Sequence, residues 1–288
     1  MQRKDKYQLY GLVFQLVCLA ANITAVMFLA VLLIRIAEQG LGTINLNFLS
    51  GFPAPRANQA GILPALVGTA MLMVFTTLAA VPMSLGAAIY LEEYARNSRI
   101  VRFIKLNIQN LAGVPSVVYG ILGLTIFARG ASLGNSVLAA SLTMALLILP
   151  IITIAAQEAL RAVPESFRLA GYAVGMTRWQ VVRHQVLPLA VPGMMTGMIL
   201  ALSRAIGESA PLIMVGAVAF IPFLPTNPLD KFTALPILIY DWTDRPEAAF
   251  REIAASGIII LLGVLLLMNA AAIYMRLHYK KKFKNIYA

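Results

Sequence analysis

The sequence predicts an all-α polytopic membrane protein with six transmembrane helices. Three observations carry that expectation. Hydrophobic residues make up 60% of the 288 and charged residues only 12%, about half the share in a soluble domain. Mean hydropathy is +0.80, so the polar side chains cannot coat a water-facing surface and the bilayer must act as solvent. Six apolar stretches each reach the roughly 20 residues that a hydrocarbon core requires. The single cysteine, Cys18, rules out a disulfide framework, and two histidines argue against a structural zinc site. No cofactor is expected.

Residues 10–34 follow the basic Arg3, Lys4 and Lys6, as in a signal peptide. The apolar run is too long for that, and no small-residue cleavage site ends it. It reads as a retained signal-anchor helix, with Cys18 a buried small hydrophobe. Residues 62–90, 106–128 and 137–159 contain Gly, Pro or polar groups, which neighbouring helices of a bundle can satisfy. Residues 188–219 are too many for one straight span, and Pro192 and Pro211 are the places to bend it. Residues 253–275 are the cleanest span, almost uniformly aliphatic over 257–268.

Charge sets the orientation. With the N-terminus inside, the inner segments hold sixteen Lys and Arg and the outer segments six. The bias agrees in all four inner segments, so both termini are expected in the cytoplasm. Counting acids, the outer side is neutral and the inner side carries the whole +11. The basic tail at 280–284 therefore reads as an inner-leaflet lipid anchor, not as a nucleic-acid patch.

One inner loop, residues 158–187, carries helix punctuation. Pro164 suits a first helical position and Gly175 a position just past a helix end. Thr177, followed three residues later by Gln180, is a capping-box pattern that opens a second short helix. Two short helices joined by a tight turn would project as a knob. Its large apolar groups, Phe167, Tyr172 and Trp179, mark a contact surface.

The spacing Leu169-Ala170-Gly171, three residues, Gly175, nine residues, Gln185, one residue, Leu187-Pro188 resembles the EAA loop of ABC-importer permeases. Ala170, Gly175 and Leu187-Pro188 match that pattern; Leu169, Gly171 and Gln185 replace its Glu, last Ala and Ile. Three further stretches resemble the A-type permeases of phosphate-specific ABC importers. They are Gly61-Ile62-Leu63-Pro64-Ala65 with Gly68-Thr69, Asn110-Leu111-Ala112-Gly113-Val114-Pro115-Ser116, and Arg204-Ala205-Ile206-Gly207-Glu208-Ser209-Ala210-Pro211-Leu212. The resemblance implies the EAA-loop permease fold in the cell's inner membrane. Residues 1–60 then form an N-terminal extra helix and outer loop, 61–252 the permease core, and 253–288 the last helix and basic tail. It also implies partners: a sister permease, two ATP-binding subunits below and a periplasmic phosphate-binding protein above. Arg168, Ala170, Gly171, Gly175, Trp179, Leu187 and Pro188 would belong to the loop that sits in a cleft of the ATPase, with Arg168 set to compensate for the missing Glu. The residues agree that a partner is needed. The chain has no Gly-x-x-x-x-Gly-Lys-Ser/Thr loop and no Gly-Lys pair at all, so it cannot cradle nucleotide phosphate by that route. It reads as a transport subunit, not an enzyme.

Arg204 and Glu208 stand in the middle of the fifth stretch, where a charge costs about 2.5–3.5 kcal/mol. Their i, i+4 spacing allows pairing on one helix face. That face also carries Gly193, Gly197 and Ala201, a small-residue stripe suited to helix packing or to a pathway. One reading is a neutralised pair holding helices together. The other is an anion station, since a guanidinium matches a phosphate oxyanion bidentately and the nearby carboxylate keeps the hold weak enough for release. Ser116 and Ser209, with Ser203, Thr69, Asn110 and Tyr119, are candidate lining groups. The outer loop 220–251 fits either a packed lid or a dock for a binding protein. Sulfate or molybdate in place of phosphate, an ion-gradient-driven anion carrier, and a non-transporting scaffold are the competing functions. The carrier predicts an inverted repeat, and the EAA-like loop occurs once.

Overall fold

A computed structural model describes residues 2–96 and 98–287, with side chains over 10–96 and 98–279. The side chains of Arg3, Lys4, Lys6 and the 280–284 tail, and the lipid-anchor reading of that tail, lie outside the described residues. Helix α1 (Gln2–Gly40) is followed by the short α2 (Leu46–Ser50) and by α3 (Leu63–Ile89), which ends in a π turn at Tyr90–Tyr94. Next come α4 (Arg99–Ala112), α5 (Ser116–Gly123) with its π extension Leu124–Gly130, and α6 (Val137–Arg161). The loop forms α7 (Glu165–Ala173) and α8 (Arg178–Val181), and α8 runs through a third π segment, Val182–Val186, into α9 (Leu187–Ile206). The short α10 (Ala210–Val215), α11 (Leu235–Asp244) and α12 (Ala248–Tyr287) complete the chain. Five helices are long and apolar enough to cross a membrane, or six if α4 and α5 count as one bent span.

Two of the expected spans are corrected. Residues 106–128 are not one helix: α4 and the α5 segment meet at 103°. Val114 precedes Pro115, whose ring disfavours helical backbone at the residue before it, and Pro115 is itself extended at ψ 138°. The fifth span is likewise not continuous over 188–219. It begins earlier, at Arg178, and stops at Ile206, with Gly207 as its cap. Pro192 sits inside the helix, while Pro211 lies in the first turn of α10, where a missing N–H costs nothing.

The centre of the fold is α3 against α6. Small buried residues, Ala80, Ala88, Ala145 and Ala156, let the two backbones approach. Hydroxyls then bond across: Thr76 Oγ1 donates to the Ser141 carbonyl (3.2 Å), Ser141 Oγ to that of Leu72 (3.3 Å), and Ser84 Oγ to that of Leu149 (3.1 Å). Helix α9 closes on α6 through Gly193 and Gly197, whose missing side chains leave room for Ala159 and Ala155.

The expected outer loop, residues 220–251, is packed against the helices. Phe232, Trp242 and Phe250 are buried, and Trp242 meets Phe48 of α2 with ring centroids 6.0 Å apart. Thr69, a candidate pathway residue in the sequence, instead accepts the Leu235 N–H at the start of α11 (2.9 Å). Asp230 accepts the amides of Asn227 (2.8 Å) and Thr226 (3.0 Å), and this turn places the carbonyls of Asp230 and Pro228 on the Val137 and Leu138 amides. The open donors at the start of α6 are thereby satisfied.

Helix α1 stands apart from the bundle and meets α12 near its own last turn. Ser256 Oγ donates to the Gly40 carbonyl (2.7 Å), and a Cβ on Gly40 would lie 2.7 Å from the Ala255 backbone. Over 10–35 every α1 side chain is exposed. Cys18 is exposed with them, which corrects its expected burial: among the described residues nothing covers this part of α1.

Candidate coupling loop and charge pair

The inner loop is built from local rules. Helix α7 ends where Gly175 takes φ +81°. There the Gly175 N–H bonds to the Tyr172 carbonyl (3.0 Å) and the Met176 N–H to that of Gly171 (3.1 Å), the two bonds of a Schellman ending. Helix α8 then starts on the expected capping box. The Thr177 side chain accepts the Gln180 N–H (3.4 Å), and the Gln180 side chain accepts the Thr177 N–H (2.8 Å). Gly171 lets the two helices touch, since a Cβ there would lie 2.9 Å from Val181 Cγ2. Pro164 is one position off its expected place, capping α7 instead of starting it. Helix α8 is also not free-standing, because it continues into α9; Pro188 is buried in that joined helix and Leu187 half-buried.

The knob therefore rests on a buried seat of Ala88, Leu160, Val163, Val181, Val186 and Ala190, with Phe167 packed against it. Phe167 thus faces inward, not toward a partner. What remains exposed is Leu169 (61%), Tyr172 (46%), Val174 (73%) and Trp179 (53%), with Ala170 among them. Arg168 also turns inward. Its guanidinium pairs with Glu93 (2.6 Å) and donates to the carbonyls of Val163 (2.8 Å) and Leu160 (3.0 Å). It ties the knob to the ends of α3 and α6 and does not offer its charge outward in place of the missing Glu.

Arg204 and Glu208 do pair, Nε to Oε1 at 3.3 Å, with side-chain exposures of 52% and 20%. They leave the small-residue stripe expected to hold them. The packed row of α9 runs from Gly193 and Gly197, which meet α6, through Ala201 and Ala205, each four residues on. Such a row drifts about 40° around the helix per step, so Arg204 ends beside it and faces out. Glu208 lies past the helix end. Ser209 caps α10 and Ser116 opens α5; both are half-buried. The two openings are neighbours, because Gly120 of α5 seats on Pro211 and Met214 of α10. Tyr119 is withdrawn, its hydroxyl donating to the Leu111 carbonyl (2.7 Å), and Ser203 is engaged by Asn269 of α12.

Residues 80–283 match the family described as binding-protein-dependent transport system inner membrane component. The chain belongs to that family. Among its relatives, a probable phosphate transport system permease protein PstA of Methanocaldococcus jannaschii is 30% identical over 94% of this chain and 93% of its own length. PstA of Mycobacterium leprae is 35% identical over 75% and 72%. The fold recurs in the inward-facing MetNI methionine ABC transporter, with a TM-score of 0.60 at 18% identity, over 76% of this chain and 95% of that one. A bacterial ABC transporter importing alginate gives 0.59 at 14%, over 78% and 80%.

In this binding-protein-dependent permease the sequence reading missed Glu92 and Glu93 as structural centres, counting them only as inner charges. Glu92 accepts from Arg161 (2.8 Å) and Lys105 (2.8 Å), while Arg161 also meets Glu158 (3.0 Å). Arg178 lies 5.1 Å over the Tyr94 ring. The available signal was two adjacent acids in an otherwise basic inner segment.

Proposed function

We propose that the chain is the membrane permease subunit of an ATP-driven phosphate importer, contributing half of the translocation pathway. The observation that carries this is the likeness to phosphate transport permeases at 30–35% identity over most of both chains. The energy comes from separate ATP-binding subunits, which receive the exposed Leu169, Ala170, Tyr172, Val174 and Trp179 face of the knob. Gly171 and Gly175 shape that face, Arg168 holds it down, and Leu187-Pro188 join it to α9. A sister permease completes the pathway, and a periplasmic phosphate-binding protein delivers at the outer lid. Both termini are in the cytoplasm and the inner membrane surrounds the spans.

Arg204 is the anion station. Its half-exposed guanidinium is held by one 3.3 Å bond within its own segment, which ties no helices together and leaves donors for an oxyanion. Glu208 limits the dwell time, and Ser116 and Ser209 offer hydroxyls at the adjoining helix starts. The test is uptake of labelled phosphate into vesicles holding this chain with its ATPase, sister permease and binding protein. Uptake should require ATP and resist excess sulfate or molybdate. Uptake by this chain alone under a proton or sodium gradient would refute the reading.

A further inference from the structure

We propose that Glu92 and Glu93 are the positioning residues that transmit movement of the coupling loop to the pathway helices. This rests on the coupling-loop reading above. A π turn places an extra residue in the helix coil, and here it lets two consecutive carboxylates face different neighbours. Glu93 holds Arg168 of α7 at 2.6 Å, and Glu92 holds Lys105 of α4 and Arg161 at the end of α6, each at 2.8 Å. The carboxylates are mostly shielded, with side-chain exposures of 8% and 11%. At such burial an ion pair has a fixed geometry, and loss of one partner is felt strongly.

The two grips lead in opposite directions. On one side is the knob. On the other is α4, which lies along α6 with none of its residues fully buried, and the Lys105–Glu92 ion pair ties it to the end of α3. Helix α4 turns through 103° into α5, and α5 seats Gly120 on Pro211 and Met214, immediately after Glu208 and Ser209. A shift of the knob that drags Glu93 moves Glu92 with it. That shift reaches the break beside Arg204 through α4 and α5. The crossing hydroxyl bonds fix the α3–α6 pair between Leu72 and Ser84, so the movement is confined to the ends of the two helices, which carry Glu92, Glu93 and Arg161.

A purely structural staple makes a different prediction, because it lowers every activity in proportion to the complex lost. The quantity that separates the two is phosphate moved per ATP hydrolysed, measured on the full complex in proteoliposomes with phosphate-loaded binding protein. Lys105→Met cuts the α4 side while leaving Glu92 its Arg161 partner. It should keep stimulated ATP hydrolysis within about twofold and cut phosphate uptake about tenfold, within the usual span of coupling between sites. Glu93→Gln cuts the knob side and should lower hydrolysis and uptake together, by about tenfold. Glu93→Asp, which keeps the carboxylate for Arg168, should retain most of both, which also covers the case in which Glu93→Gln alone fails to assemble. An unchanged phosphate-to-ATP ratio in Lys105→Met, or a Glu93→Asp complex that assembles with both activities as low as in Glu93→Gln, overturns the proposal. Trp179→Ala is the control for the underlying reading. If it leaves ATPase binding and stimulation intact, the coupling face is wrong. If it abolishes them while Lys105→Met keeps the normal ratio, only the transmission idea fails.

Discussion

Gly171 and Gly175 lie four residues apart in one turn, yet substitution should harm them by different mechanisms. At Gly175 there is room: a Cβ would meet nothing within 4 Å. The obstacle is φ +81°, which costs an ordinary L-residue about 1–2 kcal/mol and a β-branched one more. Asn, which tolerates the left-handed region, should lose least, Ala about 1 kcal/mol and Val more. At Gly171 the backbone is ordinary helix, and the obstacle is Val181 Cγ2 at 2.9 Å on a side chain that is fully buried. Overpacking of this kind costs about 1–3 kcal/mol. The decisive perturbation is therefore a rescue. Val181→Ala should repair Gly171→Ala and should do nothing for Gly175→Ala. The assay is thermal unfolding of the purified complex together with ATPase stimulation by loaded binding protein. If Gly175→Val behaves like Gly175→Asn, or if Val181→Ala rescues both glycines equally, the conformational account of this turn is wrong.

Arg204→Lys should preserve assembly and lower phosphate uptake, since it keeps charge but loses the planar fork; Arg204→Gln should be worse, leaving Glu208 unpaired. The double change Arg204→Gln with Glu208→Gln should assemble yet transport little, and near-normal uptake would remove both residues from the pathway. Thr177→Ala should cost about 1 kcal/mol through the lost cap, read as an earlier unfolding transition. Trp179→Ala should leave that transition in place and weaken co-purification with the ATPase, and the reverse pattern would refute the assignment of an outward contact face. In the outer turn, the Asn227 and Thr226 amides hold the Asp230 carboxyl below the usual carboxylate range. Its folded value is depressed, so its contribution is present above about pH 4 and fades as pH falls through the lower folded value. Amide exchange over 226–230 should accelerate below that point, and Asp230→Asn should show fast exchange already at neutral pH.

Much of this architecture is written in short-range chemistry. Gly175 and the Thr177–Gln180 pair act within four residues, so the turn and both helix ends of the knob are readable from the chain alone. The α9 break is harder. Gly207 and Pro211 read equally well as a bend inside one span, and what ends α9 is the Gly207 N–H bonding back to the Arg204 carbonyl at 3.2 Å, tightening the last turn. The placement of Arg204 depends on where α6 crosses, which helical periodicity does not contain. Least legible are Glu92 and Glu93. Their partners lie 13, 69 and 75 residues along the chain, and no local pattern announces a pairing at such separations. Thr69 misled for the opposite reason, since a hydroxyl near a membrane helix start suits a pathway and a distant backbone amide equally.

The pairing of α1 with α12 has a consequence for how the protein is made. The residues that join them, Gly40 and Ser256, are separated by 216 positions, which at about 5–20 residues per second means tens of seconds of synthesis. During that interval α12, the helix that α1 packs against, has not yet been made. It must enter the bilayer and remain there as a solitary segment. Its exposed Leu, Val, Phe and Ile side chains suit that wait, and Asn22 and Thr24 among them bond to the carbonyls of Cys18 and Ala20 in their own helix. Closure by α12 is then a late event. A ribosome stalled before residue 248 should leave α1 inserted, unpaired and open to crosslinking with lipid or with insertion factors until the last helix arrives.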